Sequence, residues 1–368
     1  MMSDDQLMLK VLRLALKGTG QVSPNPRVGA VITKDGKIIG EGYHKKFGDD
    51  HAEINAMKNS GLDDFTGCTM YVNLEPCSHE GKTPACAPVL IQKNFSRVVI
   101  GMVDPNPLVS GAGIQMLQKA GIDVVAGVLE NQCKWMNRFF IKHITTGIPY
   151  VILKAGQSLD GCIATKHGES KWITSKESRK MGHAIRAEVD AVIIGKNTVL
   201  KDNPRLNVRE LNGRDPKKVI FDTNLEISLE LEIFKSEGRA KTIVCCSEKA
   251  SKSHKAEALR VAGVSICAVA QDDDIKLNIP DALKKLSQNY AVSSVLVEGG
   301  GAILSAFVAS TYVDEINLFI APIIIGNGIR AFGEYSISDL SDAFKMKMLS
   351  NGRSGPDTHI TLVNTNQF

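Results

Sequence analysis

His51, Glu53, Cys77 and Cys86 are the residues of this chain whose types and spacing most plainly allow chemistry. Zinc takes nitrogen and sulfur ligands, and one histidine with two cysteines leaves a fourth position for water. The ion acidifies that water to a nucleophile near neutral pH. Glu53 lies two residues from His51, beside the ion without ligating it. There it can carry a proton from the water to a ring nitrogen and then to departing ammonia.

The order His51-Ala52-Glu53, Glu75-Pro76-Cys77, Cys86 follows the H-x-E…P-C-x-x-C arrangement of zinc nucleobase deaminases. One departure is plain: eight residues separate the two cysteines instead of two. Cys86 opens a predicted helix, Cys86-Ala87-Pro88-Val89, whose positive N-terminal end favours a thiolate. A loop that folds back would still deliver both sulfurs. A structural zinc takes four protein ligands and only three are apparent, which favours a catalytic ion; iron would show the same residues. Cys68, Cys133, Cys162, Cys245, Cys246 and Cys267 read as core or surface thiols. Gly111-x-Gly113 has Met116 where a dinucleotide fingerprint needs a third glycine, so it reads as a plain helix start.

These residues need a scaffold, and 368 residues exceed a usual single domain. Residues 5–17 have helical apolar spacing, and Ser23-Pro24-Asn25-Pro26 stops them. Strands are predicted at 28–33 and 37–42 around Lys34-Asp35-Gly36, and further at 69–74, 97–102 and 122–125. Helices are predicted at 51–59, 86–93, 111–120 and, as one piece, 130–143. Thr145-Thr146-Gly147-Ile148-Pro149 reads as a linker. Beyond it strands are expected at 150–154, 191–194, 218–222, 242–246, 264–269 and 294–297. Helices are expected at 175–189, 275–289 and 301–310, with closing strands at 313–325 and 343–364. No internal repeat is found, so the pattern predicts two different α/β domains, residues 1–147 and 148–368.

Composition narrows the partners. A net charge of +4 with both signs interspersed, and 5% aromatic residues, argue against the basic, aromatic-lined groove of a nucleic-acid deaminase. No window approaches the ~20 apolar residues of a membrane helix. The acidic start Met1-Met2-Ser3-Asp4-Asp5 lacks the basic region of a signal peptide. Eight cysteines are too sparse for a disulfide scaffold and suit a reducing cytosol, so a cytoplasmic location is expected.

The loop from Ser78 to Ala85 reads much like EPCSHxGxTPPC once Glu75-Pro76-Cys77 precede it, and only Ala85 differs. With Pro24-Asn25-Pro26-Arg27-Val28-Gly29-Ala30, Gly42-Tyr43-His44 and Asp104-Pro105-Asn106-Pro107, it resembles the deaminase half of the bacterial bifunctional riboflavin biosynthesis family. In the second half, three segments in this order resemble the family's reductase half. They are Lys154-Ala155-Gly156-Gln157-Ser158-Leu159-Asp160-Gly161, Ser170-Lys171-Trp172-Ile173-Thr174, and Asn197 to Leu206.

The resemblance implies a cytidine-deaminase-like α/β/α sandwich followed by a dihydrofolate-reductase-like α/β domain. It implies zinc-dependent deamination of 2,5-diamino-6-(5-phosphoribosylamino)pyrimidin-4-one, then NADPH-dependent reduction of the ribosyl group to ribityl. Asn25, His44, His79 and Lys82 would face the first substrate. Gly156, Trp172, Thr198 and Asp202 would hold NADPH, with the backbone of Gly300 and Gly301 on its phosphates. Ser170, Arg186, Leu206, Arg209 and Glu298 would surround the second substrate. Physical chemistry supports part of this: a glycine turn between a strand and a helix bares N–H groups for phosphate, although such turns also serve packing. Arginine forks onto phosphates. No histidine or cysteine of this half stands out as an acid, so catalysis by positioning of hydride donor and acceptor is expected. A homo-oligomer, dimer or tetramer, acting on small phosphoribosylaminopyrimidines is expected, with Zn2+ and NADPH as cofactors.

Overall fold

The computed structural model describes residues 2–79, 84–106, 110–209, 213–235, 241–272 and 276–364. The chain divides into two compact units, Met1–Gly147 and Ile148–Phe368.

The first unit begins with helix α1 (Asp4–Ala15), started by a capping box between Ser3 and Gln6. Its helical ladder gives way to a single tight turn at Leu16–Gly18, short of the predicted end. Five strands follow: β1 (Gly29–Lys34), β2 (Lys37–Tyr43), β3 (Cys68–Val72), β4 (Arg97–Ile100) and β5 (Asp123–Ala126). They pair in the order β2-β1-β3-β4-β5, antiparallel on the β2-β1-β3 side and parallel from β3 to β5. Helices α2 (Ala52–Ser60), α3 (Cys86–Gln92) and α4 (Ala112–Lys119) cover one face, against Ile32, Met70 and Val98. Helix α1 covers the other with α5 (Glu130–Met136) and α6 (Arg138–Thr146), against Val31, Tyr71 and Val99. Successive strand residues thus feed opposite cores, as a two-residue side-chain period demands.

The single helix expected over 130–143 is two. Asn137 breaks it, with φ −102° and ψ 17°. Its side chain is turned onto the backbone of Arg27, accepting from that N–H at 2.8 Å and donating to that carbonyl at 3.1 Å. A long-range contact overrode a strong helical pattern.

The second unit is built on nine strands. These are β6 (Tyr150–Ser158), β8 (Ala191–Gly195), β9 (Lys217–Phe221), β10 (Thr242–Ser247), β11 (Ser265–Val269), β14 (Ser294–Val297), β15 (Glu315–Ala321), β17 (Met346–Ser354) and β18 (Asp357–Asn364). Short pairs β12 (Gln271–Asp272) with β13 (Lys276–Leu277), and β7 (Cys162–Ala164) with β16 (Ile329–Arg330), stand apart. The order is β11-β10-β9-β8-β14-β6-β15-β18-β17, parallel from β11 to β15, with β18 alone running against the others and so antiparallel to both β15 and β17. Central strands such as β14 are buried along their whole length, as parallel strands covered on both faces must be. The crossovers include α7 (Lys176–Glu188), α8 (Lys196–Asp202), α9 (His254–Val261), α10 (Ile279–Tyr290) and α11 (Gly301–Ser310).

Helices α8 and α9 were not anticipated, being 7 and 8 residues long with little apolar periodicity of their own. The helix expected from 275 starts at Ile279. There Asn278 accepts from the N–H of Asp281 and a proline sits in the first turn. The strand expected over 313–325 ends at Ala321, and 343–364 is a hairpin, β17 with β18.

Candidate active sites

In the first unit, α2 lies so close on β2 that a Cβ on Gly42 would come within 2.4 Å of the Ala52 carbonyl. That contact seats the first turn of α2, with His51 as its N-cap residue and Glu53 in its first turn. Cys77 lies just beyond the carboxyl end of β3, the central strand, and Cys86 begins α3. The two cysteines do come together: the Cys86 N–H donates to the Cys77 sulfur at 3.2 Å, and the Ala87 N–H to the Cys77 carbonyl at 3.0 Å.

His51 Nδ1 lies 3.2 Å from Cys86 Sγ and 3.6 Å from Cys77 Sγ, and all three ligand atoms fall within 4.8 Å of one another. A tetrahedral zinc, with bonds of about 2.3 Å to sulfur and 2.0 Å to nitrogen, spaces its ligands by about 3.5 Å. The three residues therefore fit one ion as they stand. Hydrogen bonding from Cys86, aided by His51, holds the Cys77 thiol down to about 4. The same bond to Cys77, together with burial, drives the Cys86 thiol upward. Metal ligation removes the remaining proton, because thiolates are the ligands. Glu53 is buried within reach of Cys86, and burial raises its carboxyl above the usual range.

Asn25, His44, His51, Glu53, Cys77 and His79 line one cavity of about 320 Å³. Sequence reasoning had placed all six at the first site; Lys82 lies outside the described residues. His44 is buried, and burial lowers its basicity. Its Nδ1 faces the Asp50 carbonyl at 3.1 Å and so carries the hydrogen, leaving Nε2 to accept from Asn25 Nδ2 at 3.3 Å. Phe47, Phe140 and Ile144 supply an apolar wall that the motifs did not reveal.

Glu75 also escaped sequence reasoning as more than a neighbour of Cys77. Its carboxylate is buried and accepts from the N–H groups of Asp104, Gly111, Gly113 and Ile114 at 3.0, 3.0, 2.8 and 3.2 Å. Gly113 sits so tightly that a Cβ would approach the Pro76 carbonyl to 2.1 Å. The Gly111-x-Gly113 pair therefore serves this knot, which ties the start of α4 to the cysteine loop. Replacing Glu75 with alanine strands those donors. The expected cost is about 3 kcal/mol in denaturant unfolding of the first unit, with weakened zinc retention after dialysis. Asn73 does similar work on the Asn25 loop, bonding Gly29 N–H at 2.8 Å and the Arg27 carbonyl at 2.9 Å.

In the second unit, Gly156, Thr198 and Glu298 stand at or just beyond the carboxyl ends of β6, β8 and β14, where open parallel sheets bind ligands. Thr198 in α8 accepts from the Gly300 N–H at 3.2 Å. Gly299 has φ +137°, a conformation that demands glycine. A Cβ on Gly301 would meet the Arg330 carbonyl at 2.4 Å, so packing alone already requires that glycine. Helix α11 then starts without a side-chain cap, leaving first-turn N–H groups for a phosphate. Those features fit a dinucleotide. Gly156 packs on Thr174, two residues from Trp172, which is 69% exposed.

Arg186 and Glu298 were assigned to the second substrate; they meet each other. The guanidinium forks onto the carboxylate at 3.1 and 3.0 Å and bonds the Asn207 carbonyl at 2.9 Å. The fork expected for a phosphate is thus turned inward. Burial alone would raise Glu298, but the charges of Arg186 and Lys154 outweigh it and hold the carboxyl at about 2. Lys154 Nζ lies 3.6 Å from Glu298. Leu206 is buried at φ +51° beside Asn207, and the Arg209 N–H reaches His183 at 3.4 Å. Ser170 is half-buried and Asp202 exposed, and no hydrogen bond or ion pair draws either into the cluster.

Residues 149–360 match the family model of the RibD C-terminal domain, and residues 1–102 that of the cytidine and deoxycytidylate deaminase zinc-binding region. The chain is 41% identical to riboflavin biosynthesis protein RibD of Aquifex aeolicus, covering 96% of each. It is 35% identical to RibD of Escherichia coli, over 98% of this chain and 100% of the other. Among solved structures, RibD of Acinetobacter baumannii superposes with a TM-score of 0.88 at 36% identity, covering 99% of each chain. A deaminase/reductase of Thermotoga maritima, described as acting on diaminohydroxyphosphoribosylaminopyrimidine and 5-amino-6-(5-phosphoribosylamino)uracil, gives 0.86 at 38% identity, covering 98% of each.

Proposed function

This chain belongs to the RibD family of bifunctional riboflavin biosynthesis proteins, and from that premise we propose that residues 1–147 form its zinc deaminase and residues 148–368 its NADPH-dependent reductase. It is a deaminase and a reductase in one chain, with zinc and NADPH as cofactors. The first half takes 2,5-diamino-6-(5-phosphoribosylamino)pyrimidin-4-one, and the second reduces the ribosyl group of the deaminated product. The observation that carries this reading is the convergence of three ligand atoms within 4.8 Å with Glu53 in the same cavity.

Zinc held by His51, Cys77 and Cys86 supplies Lewis acidity and an acidified water, and NADPH supplies the hydride. Asn25 and neutral His44 orient the pyrimidine through their amide and imidazole edges, while Phe47, Phe140 and Ile144 keep bulk water from it. Glu53, raised by burial, would take one proton from the attacking water and give it to the ring nitrogen, then take the proton of the hydroxyl so formed and give it to the leaving amine. His79 faces the phosphoribosyl part, a role that the family resemblance also gives to Lys82. In the second half, Gly156, Trp172, Thr198, Asp202, Gly300 and Gly301 seat the cofactor. Ser170, Leu206, Arg209 and the Arg186–Glu298 pair shape the substrate side.

The chain acts as a homo-oligomer in the cytoplasm. Support comes from the exposed edge strand β17, with Met348 and Leu349 53% and 48% exposed, and from eight cysteines that are all free. No helix among the described residues is long and apolar enough to cross a membrane.

A coupled assay on the diaminopyrimidine ribosyl phosphate tests the division of labour. Ammonia is expected without NADPH, and NADPH oxidation only after deamination. Chelation should stop ammonia release with little unfolding, whereas a structural zinc would unfold the unit. Ammonia without any NADPH consumption would overturn the reading of the second half.

A further inference from the structure

Trp172 leaves 69% of its surface exposed, yet its two faces are not equivalent. The Arg179 guanidinium carbon lies 4.3 Å from the ring centroid on one side. Arg179 is itself fixed, because Nη1 donates to the Thr174 carbonyl at 2.7 Å. Thr174 packs where a Cβ of Gly156 would lie, 3.1 Å from its methyl. Arginine, indole and the end of β6 therefore form one continuous arrangement. Among the described residues no carboxylate pairs with Arg179, so its charge is not neutralised locally.

We propose that Arg179 is a positioning residue of the reductase half: it covers one face of Trp172, leaves the other for the nicotinamide ring, and favours the reduced cofactor over the oxidised one. The proposal rests on the assignment of Trp172 to the cofactor site under the proposed function. An indole face attracts cations through its ring quadrupole, and the guanidinium already uses that attraction. Dihydronicotinamide is neutral and stacks on the open face without an electrostatic cost. Oxidised nicotinamide is a cation. Across the ring it meets a face drained of negative potential and a like charge about 8 Å away, twice the usual stacking distance. Hydride transfer converts the first ring into the second, so the contact weakens as turnover completes and product leaves more readily.

Calorimetric titration of the full-length zinc-loaded protein with NADPH and with NADP+ tests this directly. Arg179→Gln keeps a planar group and a donor for Thr174 but removes the charge. It should lower the ratio Kd(NADP+)/Kd(NADPH) by about three- to tenfold, mainly by tightening NADP+. Arg179→Ala should weaken both ligands by about threefold, because Trp172 loses its support. Trp172→Leu should weaken both and shrink the ratio. Ammonia release, performed by the other half, should stay at the wild-type rate in the two Arg179 variants, and circular dichroism with denaturant unfolding of the second unit establishes that each variant is folded. An unchanged ratio in Arg179→Gln, with weakened binding in Trp172→Leu, overturns the role of Arg179 while Trp172 keeps its place. Unchanged affinities in Trp172→Leu overturn both.

Discussion

Glu53→Gln is expected to keep its zinc and to lose ammonia release by about 100- to 10,000-fold, the usual contribution of a positioned acid–base group. Glutamine has nearly the same shape, and the site is closed around it: Glu53 is 4% exposed, in the first turn of a helix seated on β2. The ligands His51, Cys77 and Cys86 are untouched, so metal content measured by atomic absorption should remain one per chain. What disappears is the ability to accept and return a proton beside them. Reduction of pre-deaminated substrate should proceed at the wild-type rate, since that chemistry belongs to the other half. Ammonia release within a few-fold of wild type, in protein carrying zinc, would remove Glu53 from the role of proton carrier.

Arg186→Met should abolish reduction and destabilise the second unit by about 3–5 kcal/mol, the cost of leaving a buried charge unpaired. Glu298 would remain buried with only Lys154, 3.6 Å away. The sign of the pH dependence follows from the depressed carboxyl. Glu298 stands near 2 in the folded protein against an ordinary 4.5. Its stabilisation is therefore fully present above about 4.5 and is lost as pH falls toward 2, some 3 kcal/mol in all. The defect of Arg186→Met should accordingly be large at pH 7 and shrink at pH 4, as the stranded carboxyl becomes protonated. Denaturant unfolding at the two pH values measures this. Removing both charges, Arg186→Met with Glu298→Met, should recover most of the stability without restoring reduction. A single variant as stable as wild type at pH 7 would show that the pair is not the buried strut described here.

Both folds are those the sequence implied, a cytidine-deaminase-like unit and a dihydrofolate-reductase-like unit. The zinc set was legible because metal chemistry restricts residue type severely: few side chains bind zinc, and His51, Glu53, Cys77 and Cys86 stand in a recognisable order. Most strands of both sheets were legible for a similar reason, since burial on one or both faces leaves a periodic apolar signature, whereas the largely exposed β17 did not separate from β18. The eight-residue spacing of the cysteines looked like a departure, yet the Cys86 N–H stands 3.2 Å from the Cys77 sulfur.

Other features had no such local imprint. Asn137 interrupts a helix that its neighbours favour, because its side chain is claimed by Arg27, 110 positions away. Glu75 gathers four N–H groups from residues 29 to 39 positions distant, which no spacing rule records. Arg186 carried the chemistry of a phosphate ligand, yet its fork closes on Glu298, 112 positions along. A buried carboxylate must find compensation, and only the packed chain shows which cation stands beside it. Residue types and local periods thus determined most of the elements and the candidate metal ligands and proton carrier. Which polar groups satisfy one another across the units' interiors, and hence which predicted ligands face inward, was decided by tertiary packing, because those partners are near in space and far apart in the chain.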